Sequence, residues 1–439
     1  MKAHLVPLSF LAPPDLSFRE QEARAKALLA EEAEILPAQS LGSPLPEADA
    51  ALFPQLLGAA YRGMAELQKI PMPALVVTSE FGTVSMWDWE IVHAMRAAGL
   101  NVFAPYNLPL TRAVCRALAL KRAARQARFV VFQDNPGEGM QPEIFKRFYW
   151  WEDSCIERVR AKFGVTVERR SMKAVCDAAK GICDADADRA LAGWRMPAEG
   201  LPPAALRSGT KLYLALKRAL GDDRSVRGVG MNCLNESAFS DTTPCLAWDR
   251  LFEERGILFA CEADVLSLLT LYLVYETLRA PIMMSNLYPF LVGQAALKHE
   301  KIQAFPAVPD PENHLLVAHC GYFGLMPQAF ASEWTLRPKV LDIVDANAHA
   351  VDARLPEGPV TLVKLDPSLN RLQVVEGVLT QYAQFPGSHC RNGGVIRVAD
   401  GRRLMNAFYS HHYGIMPGRQ RPGLEILARV LNLDMDNPC

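Results

Sequence analysis

The stretch Ile257-Leu258-Phe259-Ala260-Cys261-Glu262-Ala263-Asp264-Val265 continues through an uncharged apolar run to Val274. It then leads into Pro281-Ile282-Met283-Met284-Ser285-Asn286. The short apolar run before Glu262 reads as a strand, and the longer one from about Glu262 to Leu278 reads as a helix. Strand, helix and strand with short connections make one crossover unit of a parallel sheet covered on both faces. Glu262 then stands where a strand ends and a buried helix begins, at the carboxyl edge where open α/β sheets take their ligands. If the second strand lies beside the first, about 4.8 Å away, Asn286 emerges at that edge too. The structural alternative makes Glu262 a helix N-terminal carboxylate favoured by the dipole and Asn286 a turn residue. Glu262, Asp264, Glu276 and Arg279 bracket the apolar helix, leaving it too short to span about 30 Å of hydrocarbon.

Outward from this unit, the first third alternates in the same way. Ala74–Thr78, Asn101–Ala104 and Phe129–Phe132 read as strands, and Glu90–Ala98 and Thr111–Gln126 as helices. In the middle, a helix near Thr210–Leu220 precedes the strand Gly228–Met231 and a helix around Leu246–Glu254. Past Pro311 the helical period fades. His314–Ala318, Val360–Lys364, Arg371–Thr380 and Gly394–Val398 are strand-like, with turns at Asp366-Pro367-Ser368 and Asp400-Gly401, and a last helix covers Leu424–Leu431. The Pro-rich breaks suggest an N-terminal α/β domain over 1–170, a second over 171–305 with Glu262, and a β-rich domain over 306–439 with His412.

With 439 residues, half of them apolar and 22% charged, the chain has the composition of a globular protein and not of a disordered one. Lys plus Arg is 47 and Asp plus Glu is 48, so no charge signature of nucleic-acid or anionic-membrane binding exists. The N-terminal Met1–Pro7 reads as a strand and not as a secretory signal. Ten cysteines without a Cys-x-x-Cys pair point to reduced thiols and a cytoplasmic location. The basic run Arg112–Arg128 reads as a solvated helix face, and Phe148-Tyr149-Trp150-Trp151 as a helix buried at a domain or subunit interface. Gly137-Glu138-Gly139 reads as a crevice lining or a turn.

Nine histidines include the consecutive pair His411-His412, and His319 and His389 each follow an apolar strand. In extended chain neighbouring side chains face opposite ways, so at most one of the pair would face a shared site. A carboxylate and an imidazole from distant elements can together hold a divalent cation.

Seven blocks keep one order along residues 70 to 430: Ser79-Glu80-Phe81-Gly82-Thr83, Trp87-Asp88-Trp89-Glu90, Gln133-Asp134-Asn135-Pro136-Gly137, Pro244-Cys245-Leu246, Cys261–Val265, His319-Cys320-Gly321 and His411-His412. In this order the chain resembles the L-fucose isomerase and L-arabinose isomerase superfamily. That resemblance implies two doubly wound α/β domains followed by a β-rich, barrel-like C-terminal domain. It also implies a homo-oligomer with active sites between subunits, Mn²⁺ as cofactor, and aldose–ketose isomerisation of a pentose or 6-deoxyhexose-type sugar. Position by position, Glu262 takes the place of the first metal-binding carboxylate and His412 that of the metal-binding histidine. His411 stands beside the sugar, and His319 matches an additional metal-site histidine of the arabinose branch. Trp87 or Trp89 would reach a neighbouring subunit's sugar. Asn286 stands where the second acidic ligand and acid/base belongs.

Isomerisation takes a proton from C2 and returns one to C1 through an ene-diol, and a divalent cation stabilises the charge that develops on the two oxygens. An amide offers a carbonyl oxygen to a cation but neither charge nor an exchangeable proton. Asp264 or Glu80 is the available substitute carboxylate. Asn286 therefore also motivates a second expectation, a non-catalytic or altered carbohydrate-binding relative. A nucleotide-dependent oxidoreductase has only Gly228-Val229-Gly230 in its favour, and Cys233 stands where the third glycine should.

Overall fold

The computed structural model describes residues 1–135, 145–149, 151–290, 307–339, 346–384 and 392–439. These form two compact units: Met1–Ala124 with Glu276–Leu278 and Pro422–Asn432, and Arg125–Tyr275 with Arg279–Arg421 and Leu433–Cys439.

In the first unit β1 (Ala3–Ser9), β2 (Ala33–Ile35), β3 (Gln39–Ser40), β4 (Ala50–Phe53), β5 (Ala74–Val76) and β6 (Val102–Phe103) pair in parallel. Their order is β2-β1-β4-β5-β6, with β3 also on β1. Side-chain alternation explains why both faces need cover. Leu5, Leu52, Leu75 and Phe103 pack on Val114 and Leu118 of the helix Leu108–Ala123. Their neighbours Val6, Phe53 and Val76 pack on Ile91 and Met95 of the helix Asp88–Ala97.

The second unit holds a parallel sheet of β7 (Arg128–Phe132), β8 (Thr166–Arg170), β9 (Val226–Met231) and β10 (Leu258–Cys261), in the order β10-β9-β7-β8. The uncharged run forms the helix Val265–Leu278, and no helix among the described residues is long and apolar enough to cross a membrane. The chain continues through β11 (Met283–Pro289), β12 (His314–Ala318), β13 (Glu333–Pro338) and β14 (His349–Arg354). It ends with β15 (Gly358–Leu365), β16 (Arg371–Ala383), β17 (Gly393–Arg397), β18 (His412–Pro417) and β19 (Asp434–Asp436). Six of these close an antiparallel barrel in the order β15-β18-β11-β12-β17-β16, with β16 returning to β15. Strand β19 adds in parallel to β16, and β13 and β14 form their own antiparallel pair.

Two expectations are overturned. The strand that carries Asn286 is not a neighbour of β10; it lies in the barrel between β12 and β18. Pro281–Met284 is apolar enough for a parallel strand, but over Ser285-Asn286-Leu287-Tyr288 buried and half-buried residues alternate, the pattern of an antiparallel strand with two different faces. Met283 and Leu287 share the barrel core with Leu315, Val317 and Ile415. Asp400-Gly401, read as a turn, opens the helix Gly401–Ala407 instead, because the Asp400 side chain accepts the Arg403 N–H at 2.8 Å.

Candidate functional site

The backbone leaves β10 in an unusual way. Glu262 and Ala263 both adopt left-handed conformations, with φ of 56° and 53°, a costly geometry for residues with a Cβ. Several bonds hold it. Ala263 N–H donates to Met231 O at 2.9 Å, and Asp264 N–H to Cys261 O at 3.1 Å. Trp151 Nε1 donates to Ala263 O at 3.1 Å, while Val265 N–H donates to Tyr149 O at 2.9 Å. A Cβ at Gly230 would sit 3.0 Å from Ala263 Cα, so only glycine lets the loop come this close.

Asp264 then caps the helix Val265–Leu278, accepting the Ser267 N–H at 2.8 Å and the Ser267 hydroxyl at 2.6 Å. The same carboxylate receives His412 Nδ1 at 2.8 Å and lies 3.6 Å from the fully buried Lys364 ammonium. Lys364 also donates to the Ser267 hydroxyl at 2.6 Å. Burial opposes charge on Asp264, yet Lys364 and His412 outweigh it and hold this carboxyl well below the usual carboxylate range. For Lys364, burial wins and the ammonium is lowered despite Asp264.

An ionised Asp264 fixes the ring of His412. With Nδ1 turned to the carboxylate, Nε2 points toward Glu262, an arrangement common behind metal-binding histidines. Among the described residues His412 Nε2 has no hydrogen-bond partner, and Glu262 Oε1 stands 3.9 Å away. Two donors about 2.0–2.2 Å from one cation lie at most roughly 4.4 Å apart, so the gap admits a shared ion. Asn286 is the cross-strand partner of His412. Its Nδ2 donates to Tyr288 Oη at 3.1 Å, and its buried Oδ1 meets no partner among the described residues. Glu262, His412 and Asn286 thus supply a carboxylate, an imidazole nitrogen and an amide oxygen. Among the described residues, no group of three or more His, Cys, Asp or Glu side chains is placed to hold a metal ion.

Tyr149 completes the arrangement. Its ring stacks on His412 with centroids 4.9 Å apart, and its hydroxyl lies 3.3 Å from His411 Nε2. Burial, reinforced by the Glu262 carboxylate, pushes its phenol far above the usual range, so it stays a donor. His411 sits in a bend before β18 and not in extended chain, so both imidazoles gather around one tyrosine. Burial and the neighbouring His412 push His411 well below the ordinary imidazole range, which keeps it neutral.

His319 follows β12, is buried, and has its ring centroid 6.4 Å from that of His412. Trp87 and Trp89 lie in the first unit, 75% and 41% exposed. Glu80 is also in that unit, 3.8 Å from Arg24. His389 and Gly137-Glu138-Gly139 lie outside the described residues. At the carboxyl edge of β7 and β9, the buried Glu236 accepts backbone N–H groups of Asp134 and Asn135 at 2.8 and 2.6 Å.

Sequence reasoning missed Tyr149 and Lys364. Tyr149 was assigned to an interface helix, and nothing local marks it for a site more than a hundred residues on. Lys364 carried a legible signal, a lone cation within the apolar strand Val360–Leu365, since such a charge needs a buried partner.

Comparison with protein-family models and with curated proteins finds no match.

Proposed function

We propose that this chain is a metal-dependent aldose–ketose isomerase of the L-fucose and L-arabinose isomerase type, built from two doubly wound domains and a barrel, acting on a pentose or 6-deoxyhexose-type sugar. The observation that carries the proposal is the 3.9 Å approach of Glu262 to His412 Nε2, with an Asn286 oxygen on the adjoining strand that has no partner among the described residues. The cation, Mn²⁺ or another divalent ion, would be held by Glu262, His412 and the Asn286 carbonyl oxygen, and bound there it would stabilise the negative charge of the ene-diolate.

The residues divide the remaining work. Glu262 takes the C2 proton and returns it at C1 in this reading. Tyr149, held protonated, donates to a substrate oxygen or to the Glu262 carboxylate. Neutral His411 offers a hydrogen bond to a sugar hydroxyl, and Asp264 and Lys364 keep the His412 ring in one tautomer. Assembly as a homo-oligomer, with Trp87 or Trp89 of one subunit at another's sugar, belongs to the same proposal, as does a cytoplasmic location.

The test is aldose–ketose interconversion across pentoses, 6-deoxyhexoses and acidic sugars, with and without Mn²⁺. Turnover that requires the ion and falls at least 100-fold in Glu262→Gln is expected; a folded protein silent across the panel overturns the reading. Asn286 itself favours a second reading, a sugar-binding relative without turnover, because an amide cannot exchange protons. That reading expects sugar to raise the thermal midpoint with no interconversion, and Asn286→Asp to tighten Mn²⁺ binding.

A further inference from the structure

Four cysteines gather just behind the site. Cys233 follows β9, Cys261 ends β10, Cys245 opens the helix Cys245–Arg255, and Cys320 lies in the turn after β12. They are not equivalent. The Cys320 sulfur is engaged by the half-buried Lys339 ammonium at 3.2 Å and by the Cys245 thiol. Cys233 and Cys261 instead face each other, their sulfurs in hydrogen-bond contact at 3.1 Å without a disulfide. That separation is only about 1 Å longer than a disulfide. The two sulfurs are brought together by adjacent parallel strands, with Cys261 paired to Met231, two residues before Cys233. Cys261 is buried and Cys233 is half-buried.

We infer that Cys233 and Cys261 are a modification site: a dithiol that hydrogen peroxide converts to a reversible disulfide. The Cys233 sulfur attacks one peroxide oxygen; the O–O bond breaks, a sulfenic acid forms, and the leaving hydroxide takes the thiol proton as water. The Cys261 sulfur then attacks the sulfenic sulfur, forming S–S as the S–O bond breaks and a second water departs. Two thiols lose two electrons in all, and one peroxide is reduced to two waters. The bridge would sit one peptide bond from Glu262, where the backbone is already left-handed. The inference rests on the thiol pair alone and stands whether or not the chain turns over a sugar.

The test uses the full-length wild-type protein, treated with limiting peroxide, alkylated under denaturing conditions, and digested with trypsin and a glutamyl endopeptidase. Cleavage after Glu236 separates Cys233 from Cys245, so the bridge can be assigned. The expected result is loss of the mass of two hydrogens and of both free thiols together, with Cys233 linked to Cys261. Phosphine reductant should reverse it, and Cys233→Ser should lack it. The inference is overturned if both thiols remain alkylated when half of the exposed Cys183 has been oxidised, or if the bridges join other cysteines. The wild-type map decides the question even where the variant fails to fold.

Discussion

Asp264 joins stability to the site's geometry through a single carboxylate that caps a helix, orients His412 and neutralises Lys364. Replacing one member of a buried ion pair leaves the other charge uncompensated, at a cost of about 3–5 kcal/mol. Asp264→Asn should therefore lower the free energy of urea unfolding by that order. Adding Lys364→Met should restore a good part of it, so the pair is non-additive by 1 kcal/mol or more; strict additivity would show that the charges do not interact. His349 makes a separate, pH-dependent contribution. It is buried against Gly209 and Thr242, and burial pushes its ring down from 6.5 to about 4. Between those values the unfolded chain binds a proton that the folded chain refuses. Stability should be unaffected above about pH 6.5, fall as pH drops through the window, and fall no further from this group below about pH 4, with a total of roughly 3 kcal/mol. Unfolding midpoints against pH should be flatter across that window in His349→Leu; an unchanged slope would assign the loss to other groups.

At the scale of elements, turns and registers decide what reaches the site. The chain leaves β12 through His319, Cys320 and Gly321, and Gly321 has φ of 122° with no room for a side chain: a Cβ would run into the Val351 carbonyl oxygen of β14. Gly321→Ala should cost about 2–4 kcal/mol, combining backbone strain with a backbone clash, and should lower the thermal midpoint. A midpoint within a degree of wild type would mean that the turn relaxes freely. The strands and helices around Glu262 were legible because their patterns are local: β7 and β10 are short buried runs, and the helix Val265–Leu278 is apolar all round. The partner of β11 was not legible. A four-residue apolar run fits either sheet type, and what placed it in the barrel was cross-strand packing of Met283 and Leu287 on residues from far along the chain.

For the whole molecule, closure of the barrel brings the middle and the tail of the chain together. Strand β18 bonds to both β11 and β15, so a chain truncated before His411 opens the barrel at two edges. It also loses Pro422–Asn432 from the first unit. Exposed edges of this kind pair with other chains, so the truncated protein should aggregate in light scattering where the full chain does not; a monodisperse truncation product with native circular dichroism would contradict this. Mixed α/β architecture and the β-rich C-terminal part were written in composition, spacing and periodicity, which depend on near neighbours, whereas the candidacy of Glu262, Asn286, His411, His412 and His319 came from the family resemblance that the ordered blocks carry. The meeting of Glu262 with His412, the tether of Asp264 and Lys364, the stacking of Tyr149 and the facing thiols of Cys233 and Cys261 were decided only by tertiary structure. Sequence constrains residues a few positions apart, whereas contacts across a hundred residues or more exist only once sheet order and barrel register have been chosen by packing of the core.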